Sequence, residues 1–213
     1  RLRIGQLRGS EPMQVVSGRL DYPKVHFEAP PRQGLEERLN AFIDWFNQSL
    51  NDSLLDPLLR AGITHLWFVT LHPFDDGNGR ITRTLTDLSL AQMDEQSIRL
   101  YAMSTAILNK RKSYYEILEQ TQKNDSDITD WLVWFLDTLN DSLEKTLAQI
   151  SRTLFKSQFW HKYSNLALSE EQRKVLNRLL DGGENGFEHG ISASQYQKVA
   201  KISKATATRH LSD

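Results

Sequence analysis

Apolar residues recur at helical spacing along most of this chain, and that periodicity is the feature that most limits its fold. Between residues 35 and 50, and again between residues 128 and 154, apolar side chains three and four positions apart form single faces. A stripe with this period is typical of helices that bury one side against a common core. Further helices are expected over residues 61–71, 79–93 and 104–122. The sequence therefore predicts a mainly α protein built as a helical bundle.

Strand candidates occur near the start of the chain. Met13–Val16 and Lys24–Phe27 are short runs of strand-forming residues, and the segment between them is rich in turn formers. The adjacent prolines Pro30 and Pro31 close this region, because proline cannot donate a main-chain hydrogen bond. We expect one β-hairpin over residues 12–31. Taken alone, this pattern predicts an ordinary edge hairpin packed on the bundle.

The end of the chain has a different organisation. Ser169 and Ser192 each stand three positions before a glutamine, the capping-box pattern that opens a helix, and a third short helix is expected from Lys204. Short helices joined by a tight turn are typical of a helix-turn-helix. Lys204 and Arg209 can meet phosphates and Thr208 can reach a base edge, so DNA contact is one interpretation. Packing or protein contact is the other.

The segment from His72 to Arg83 carries most of the functional information. It runs His-Pro-Phe-Asp-Asp-Gly-Asn-Gly-Arg-Ile-Thr-Arg, and a helix is expected to follow its second glycine. Gly77 and Gly79 can adopt backbone conformations closed to other residues, so the turn can aim several N–H groups at one anion. The helix N-terminus at the same place also favours phosphate through its dipole. The segment therefore predicts a phosphate cradle.

Three kinds of side chain flank this cradle. Arg80 and Arg83 are three positions apart on one helical face, and each can fork onto phosphate oxygens. Asp76 would be repelled by bare phosphate, and a divalent cation such as Mg²⁺ resolves that conflict. His72 has a reference pKa of ~6.5, so a neutral imidazole is available to take a proton. Each part alone is usually turn or core chemistry, whereas the four together predict a reaction on a nucleotide.

At every specified position, His72–Arg83 resembles the Fic-domain signature His-Pro-Phe-x-[Asp/Glu]-Gly-Asn-Gly-Arg-x-x-Arg. The resemblance places a Fic-type helical bundle with a hairpin flap at residues 1–160, and a truncated winged-helix-like module at residues 165–213. Most Fic enzymes transfer AMP from ATP to a protein hydroxyl and release pyrophosphate. The resemblance thus implies a protein adenylyltransferase with ATP as co-substrate, Mg²⁺ as cofactor and a hydroxyl-bearing protein as target.

The resemblance also implies roles within the loop. His72 would deprotonate the target hydroxyl, and Asp76 would hold Mg²⁺ on the α- and β-phosphates. Phe74 would anchor the loop in the hydrophobic core. The residues that would contact the nucleotide phosphates are Asp76, Gly77, Asn78, Gly79, Arg80 and Arg83.

Two elements outside the loop receive roles from the same resemblance. The hairpin would be a flap that aligns an extended target segment by main-chain pairing, with Val25, His26 and Phe27 nearest to it. Tyr114 and Tyr115 are adjacent and cannot both face the core of one helix. The resemblance implies that one of them lines the adenine pocket. The inhibitory pattern of many Fic proteins, [Ser/Thr]-x-x-x-Glu-[Gly/Asn], does not occur in this sequence.

Composition adds limits of its own. With 213 residues the chain can bury a mid-sized core and a small second domain, and we expect it to be a piece of a longer protein. Its net charge of −1 exerts no general pull toward nucleic acid or membrane, and no apolar run approaches the ~18 residues of a membrane span. The absence of cysteine excludes disulfides and fits a cytoplasmic location. A homodimer, removal of AMP, transfer of another nucleotide, and a DNA-binding regulator with a nucleotide sensor stay open.

Overall fold

The structure, a computed structural model, describes residues 5–19, 22–93, 102–123, 127–182, 187 and 190–212. The elements in chain order are β1 Gln14–Arg19, β2 Tyr22–Glu28, α1 Leu35–Gln48, a short 3₁₀ turn Ser49–Asn51, α2 Pro57–Leu71, α3 Asn78–Met93, α4 Met103–Asn109, α5 Arg111–Lys123, α6 Thr129–Lys162, α7 Glu170–Asp181, α8 Ala193–Ala200 and α9 Lys204–Ser212. The predicted mainly helical fold with one hairpin is confirmed.

The hairpin lies within the predicted range of residues 12–31, but its strands continue further toward the connection than the sequence pattern indicated. Its strands pair antiparallel from Gln14 opposite Glu28 to Arg19 opposite Tyr22, with an irregularity between Val15 and Val16. Residues assigned to the turn from their composition therefore continue the strand ladder. Two residues are enough to connect antiparallel strands, so turn-forming residues next to the connection can still pair.

Helix α2 crosses the centre of the bundle and ends at the active-site loop. It begins at Pro57, four positions before the predicted start, because Asp56 accepts hydrogen bonds from the N–H groups of Leu58 and Leu59. Proline suits this first helical position, where its missing N–H costs nothing. A β-carbon at Gly62 would come within 2.9 Å of Leu132, so α2 and α6 pack closely there.

Two clusters of buried side chains hold this helix in place. One joins α2 to α3, α4, α5 and the first half of α6; its members are Ala61, Leu66, Val69, Leu90, Met103, Ile107, Leu118, Trp131, Phe135 and Leu139. The other joins α1 to the opposite side of α2; its members are Phe42, Phe46, Phe68 and Leu71. Because α2 is covered on both sides, the residue at its end is held with little freedom.

The helix predicted over residues 104–122 is in fact two helices. The chain leaves helical geometry at Lys110, with φ −102° and ψ 23°, and α5 starts at the next residue. Lys110 then serves both helices, since its carbonyl accepts from the N–H of Tyr114 and from the hydroxyl of Ser113. Lys110 also pairs with Asp141 on α6. Helical spacing on either side of the break is unchanged, so periodicity alone did not reveal it.

The described residues form two compact units that divide between Glu144 and Lys145, inside α6. In the first unit the apolar stripe of α6 is buried, whereas further along Leu147 and Leu154 are 53% and 57% exposed. Spacing shows which residues share a helical face, but only tertiary structure shows whether another element covers that face. None of the described helices is long and apolar enough to cross a membrane.

The second unit contains α7, α8 and α9. Both predicted capping boxes are present, at Ser169 and at Ser192. Lys201 takes a left-handed conformation with φ 59° between α8 and α9, which makes the turn between them tight. Their small core consists of Val175, Tyr196, Ala200 and Ala207. The predicted helices are confirmed, and the boundary of 160–165 and the winged-helix-like character of the module stay predictions.

Candidate active site

His72 occupies a strained position at the end of α2. Its N–H still donates to the carbonyl of Phe68, but its backbone is left-handed, with φ 46° and ψ 55°. A residue other than glycine adopts this region rarely, and such conformations concentrate at functional sites. The next residue, Pro73, cannot continue a helix. The chain therefore turns sharply and exposes the imidazole to the loop that follows.

The protonation of the His72 ring follows from its contacts. Nδ1 lies 3.2 Å from the carbonyl oxygen of Val69, and a carbonyl only accepts, so Nδ1 carries the proton. Nε2 of the neutral ring is then free to accept one. Burial lowers the pKa of His72, the bond to Val69 raises it, and the charge of Arg8 lowers it further, with the net shift downward. The predicted neutral imidazole is what this environment favours.

The loop after His72 is held closed by Asn78. The amide oxygen of Asn78 accepts from the N–H of Phe74 at 2.9 Å, and its amide nitrogen donates to the carbonyl of Phe74 at 2.7 Å. Asn78 is 3% exposed. Its side chain therefore shapes the loop, and only its main-chain N–H remains to face a ligand. Phe74 packs against the cluster of α1 and α2, as expected of a loop anchor.

The main chain at the start of α3 has the form of an anion nest. Gly77 has φ 87°, a conformation that favours glycine, and its carbonyl accepts from the N–H of Ile81. Helix α3 begins at the next residue, and the first N–H groups of a helix have no carbonyl one turn earlier to bind. A β-carbon at Gly79 would lie 3.4 Å from the Arg83 guanidinium. Neither glycine places a side chain over the main-chain N–H groups at this helix end.

Asp76 and Arg80 pair with each other at the rim of this nest. Asp76 accepts from the N–H of Gly77 at 2.6 Å and from the Arg80 guanidinium at 3.1 Å. Their side chains are 66% and 73% exposed, so the pair is weak and easily exchanged for another partner. Among the described residues there is no group of three His, Cys, Asp or Glu side chains that would bind a metal unaided. Asp76 thus presents one exposed carboxylate at the rim of the nest.

A cavity of about 170 Å³ opens beside His72 and gathers residues from distant parts of the chain. The predicted site residues that line it are His26, Phe27, His72, Gly79, Arg83, Tyr114 and Tyr115. Predicted residues outside this lining are Val25, Asp76, Gly77, Asn78 and Arg80. The lining residues that sequence reasoning missed are Val15, Val69, Leu118, Glu119 and Gln122. No motif marks this last group, since its members are ordinary strand and helix residues.

A second cavity, of about 420 Å³, shares three residues with the first. Arg83, Tyr114 and Tyr115 line both, and Arg111 and Ser104 are among the residues that complete the second. The tyrosine pair and Arg83 therefore lie between the two cavities. A ligand larger than either cavity can contact these three residues from both sides.

Tyr114 is oriented by a buried histidine that sequence reasoning did not single out. The Thr86 hydroxyl donates to the carbonyl of Thr82, so it accepts from Nδ1 of His65 at 2.9 Å. Nε2 of His65 is then unprotonated and accepts from the Tyr114 hydroxyl at 3.0 Å. His65 is fully buried, and burial, then the charge of Arg83, lowers its pKa to about 3. The chain from α3 to Tyr114 is therefore neutral at ordinary pH.

Tyr115 faces the hairpin instead. Its ring stacks on His26 of β2, with centroids 5.3 Å apart and planes 20° apart. Nδ1 of His26 also lies 3.4 Å from a carboxylate oxygen of Glu119. The adjacent tyrosines thus divide their roles, one toward the core and one toward the hairpin, as their adjacency predicted. Val25 is 42% exposed on the neighbouring strand position.

The predicted DNA-contacting residues lie on α9. Lys204, Thr208 and Arg209 are all exposed, and the Thr208 hydroxyl donates to the carbonyl of Lys204. Helix α9 contains no acidic residue. Their exposure is compatible with contact to phosphates, and DNA binding by these residues stays a prediction.

Residues 3–90 match the model of a family described as the Fic/DOC family. This range contains the hairpin, the His72–Arg83 loop and the first part of the bundle, whereas the α5 residues that line the cavity lie outside it. Over residues 3–90 the chain matches the Fic/DOC family.

Several curated relatives carry the name protein adenylyltransferase. The Nematostella vectensis protein of that name, Fic, is 33% identical over 96 residues, which are 45% of this chain and 21% of that protein. The Drosophila willistoni protein Fic is 30% identical over 138 residues, 64% of this chain and 25% of that protein. The Caenorhabditis elegans protein fic-1 is 36% identical over 77 residues, 35% of this chain and 15% of that protein. The chain thus spans a quarter or less of these relatives.

Two solved structures share the fold. A Fic family protein from Desulfovibrio desulfuricans G20 has a TM-score of 0.55 and 21% identity, covering 97% of this chain and 54% of that one. A Fic domain containing signaling protein from Bacteroides thetaiotaomicron has a TM-score of 0.52 and 21% identity, covering 70% of this chain and 54% of that one. At this identity the likeness concerns the fold.

Proposed function

We propose that this protein is a Fic-type protein adenylyltransferase that transfers AMP from ATP to a hydroxyl side chain of a target protein. The observation that carries the proposal is the position of His72. Its unprotonated Nε2 belongs to a ring that lines the same cavity as Gly79 and Arg83, at the N-terminus of α3. A base and a phosphate-binding helix end are thereby adjacent. The names of the relatives agree with this activity.

The reaction follows from these positions. The target hydroxyl oxygen forms a bond to the α-phosphorus of ATP, and its proton passes to Nε2 of His72. The bond from that phosphorus to the bridging oxygen breaks, and pyrophosphate leaves with the bonding electrons. Arg80 and Arg83 stabilise the departing charge, since guanidinium groups fork onto phosphate oxygens. Catalysis of this kind rests on positioning and charge stabilisation.

The residues at the nest fit a magnesium ion. Mg²⁺ is usually held by one or two carboxylates together with substrate phosphates, and Asp76 supplies one exposed carboxylate beside the helix N-terminus. When bound, the cation would neutralise phosphate charge. Arg80, now paired with Asp76, is exposed and can turn toward the same phosphates. Asp76 would then hold the cation and Arg80 would contact the nucleotide phosphates, in place of their contact with each other.

The two cavities that share Arg83 suit the remainder of the nucleotide. Tyr114 is fixed by His65, and Tyr115 offers an aromatic face beside it. Stacking on aromatic rings is a common means of binding a base. We therefore assign the adenine side of ATP to the tyrosine pair. The hairpin, through Phe27 and His26 in the cavity lining, is assigned to alignment of the target segment by main-chain pairing.

The test is transfer of label from ATP carrying radioactive α-phosphate. The chain is incubated with this ATP and Mg²⁺, alone and with cell lysate, beside His72→Ala and the matched control His161→Ala, whose histidine is exposed on α6. Label should appear on protein with the wild type and the control and be absent with His72→Ala. Equal labelling by all three would overturn the proposal, as would no labelling at all. Mass spectrometry of the adduct separates AMP from another nucleotide.

A second candidate function is DNA binding through α9. It is favoured by the exposed Lys204 and Arg209 on a helix without acidic residues. Binding to duplex DNA should then weaken steeply as salt rises, and the double substitution Lys204→Ala, Arg209→Ala should reduce that salt dependence by a slope of about 2. Unchanged binding in the variant would reject this candidate.

A further inference from the structure

Arg8 is a buried cation beside the active-site loop. It is 2% exposed although it lies before the hairpin, 64 residues away from His72 in sequence. Its Nε donates to the carbonyl oxygen of His72 at 2.9 Å. A terminal nitrogen of the same guanidinium donates to the carbonyl of Pro30, where the chain leaves the hairpin. One side chain thus joins the end of α2 to the base of the hairpin.

The main chain of Arg8 makes contacts of the same kind. Its N–H donates to the carbonyl of Pro73 at 2.9 Å, and its carbonyl accepts from Nε of Arg32 at 2.8 Å. The two successive carbonyls of His72 and Pro73 are therefore both held by Arg8. The main chain at His72 and Pro73 therefore cannot rotate without breaking hydrogen bonds to a buried residue.

The hydrogen bonds from Arg8 act on a residue whose backbone conformation is unfavourable. His72 is left-handed and precedes a proline, a position that normally favours extended backbone. Such a conformation persists only when surrounding contacts over-determine it. Arg8 supplies those contacts from outside α2, in addition to the helical bond from His72 to Phe68.

We propose that Arg8 is a positioning residue, which holds the His72 peptide in its left-handed conformation and links it to the exit of the hairpin. The inference rests on the proposed adenylyltransferase activity and deepens it. Arg8 is not itself one of the residues that line the cavity; it acts through the main-chain carbonyls of His72 and Pro73. Without it, the imidazole loses its fixed orientation toward the cavity.

The charge of Arg8 supplies a readout that a merely structural residue would not move. Burial, then Arg32 and Arg38, lowers the pKa of Arg8, while Asp75 raises it; the group is nevertheless a cation at ordinary pH. That cation is one cause of the lowered pKa of His72. The charged or titratable groups that line the cavity together with His72 are His26, Arg83, Tyr114, Tyr115 and Glu119. Loss of the Arg8 charge should therefore move the pKa of His72 upward.

The experiment compares Arg8→Gln and Arg8→Lys with a matched control, Arg60→Gln. Arg60 is 4% exposed and binds Ser49, Ser89, Gln92 and the carbonyl of Phe46, away from the loop. We measure kcat and KM with α-labelled ATP in the full chain, the pH dependence of the rate, the His72 titration by NMR, and the melting temperature. Control and test residues share burial and chemistry, so general destabilisation should be similar in both.

Arg8→Gln should lower kcat about tenfold or more at nearly constant KM for ATP, since misplacement of a base by about 1 Å has that size of effect. In this variant, the acid limb of the pH–rate profile and the NMR titration of His72 should both shift to higher pH. Arg8→Lys should leave the titration of His72 nearly unchanged but restore only part of kcat. An ammonium lacks the planar fork with which the guanidinium reaches the carbonyls of both His72 and Pro30. Arg60→Gln should alter the melting temperature alone.

The outcomes separate the two proposals. An active wild type with equal kcat in Arg8→Gln and Arg60→Gln would overturn the role of Arg8 and leave the proposed function standing. An inactive wild type removes the proposed function, and the positioning role then fails unless the His72 titration still moves in Arg8→Gln and not in Arg60→Gln. If neither Arg8 variant folds while Arg60→Gln does, Arg8 has a structural role only and the inference is rejected.

Discussion

The hydroxyl of Tyr114 donates to Nε2 of His65 across 3.0 Å, and through this bond a fully buried histidine orients a residue that lines the cavity beside His72. The direction of the bond is set by Thr86, whose own hydroxyl is used on Thr82. The wall of the cavity therefore depends on a chain of neutral groups that begins on α3.

Tyr114→Phe removes the donor of this bond and leaves a buried ring nitrogen without a partner. We expect a loss of about 1–3 kcal/mol in the free energy of unfolding, because an unsatisfied buried acceptor costs that much. KM for ATP should rise as the tyrosine pair loosens. Urea unfolding and initial rates measure the two effects, with Tyr163→Phe beyond the end of α6 as control. Equal stability of the two variants would show that the bond contributes nothing.

Stability should fall in mild acid because of His65. The pKa of His65 is lowered to about 3 in the folded protein, against ~6.5 unfolded, so the unfolded chain binds the extra proton between these values. The contribution of His65 to the free energy of unfolding is complete above pH ~6.5. It decreases as pH falls, by up to about 2 kcal/mol at pH 5 for one histidine. His72, whose pKa is also lowered, adds in the same direction.

Urea titrations at pH 7 and pH 5 check this slope. His65→Gln, which cannot titrate, should start less stable at pH 7 but lose less stability on acidification than the wild type. The same loss in both proteins would assign the acid sensitivity to other groups.

Asn78→Ala should open the active-site loop. The substitution leaves the N–H and the carbonyl of Phe74 without their partners, so we expect the free energy of unfolding to fall by about 1–3 kcal/mol. The rate of AMP transfer should fall at least as much as the affinity for ATP, because the amides of Gly77 and Gly79 flank Asn78. The control is Asn140→Ala, which removes an exposed hydrogen bond to Glu144. Thermal melting and labelled transfer, measured on the same samples, decide whether the two variants differ.

Gly77→Ala tests the nest itself. Gly77 has φ 87°, and a β-carbon there costs about 1–2 kcal/mol of backbone strain. Gly5 has a similar φ of 70° with open space around it, so Gly5→Ala carries like strain away from the loop. We expect both to lower the melting temperature, and only Gly77→Ala to weaken ATP binding, measured by calorimetry. Equal ATP affinity in the two variants would contradict the nest.

Local sequence was enough to predict most of the helices and the hairpin, and to single out the loop as the candidate site. Periodicity located α1, α2, α3 and α6, and the capping serines located α7 and α8. His72, Gly79 and Arg83 were recognised because their spacing along the chain is itself the motif. These properties depend on neighbours within a few residues, and the sequence displays such neighbours directly.

Tertiary structure decided what the helices and the loop face. Arg8 and His65 carry no local motif, yet one grips the His72 peptide and the other orients Tyr114. The break at Lys110 likewise leaves no trace in the spacing around it. Contacts between segments dozens of residues apart arise only when a shared core is packed. The amino-acid order alone thus determined which residues are candidates for chemistry, and the packed fold determined which buried polar groups hold those residues in place.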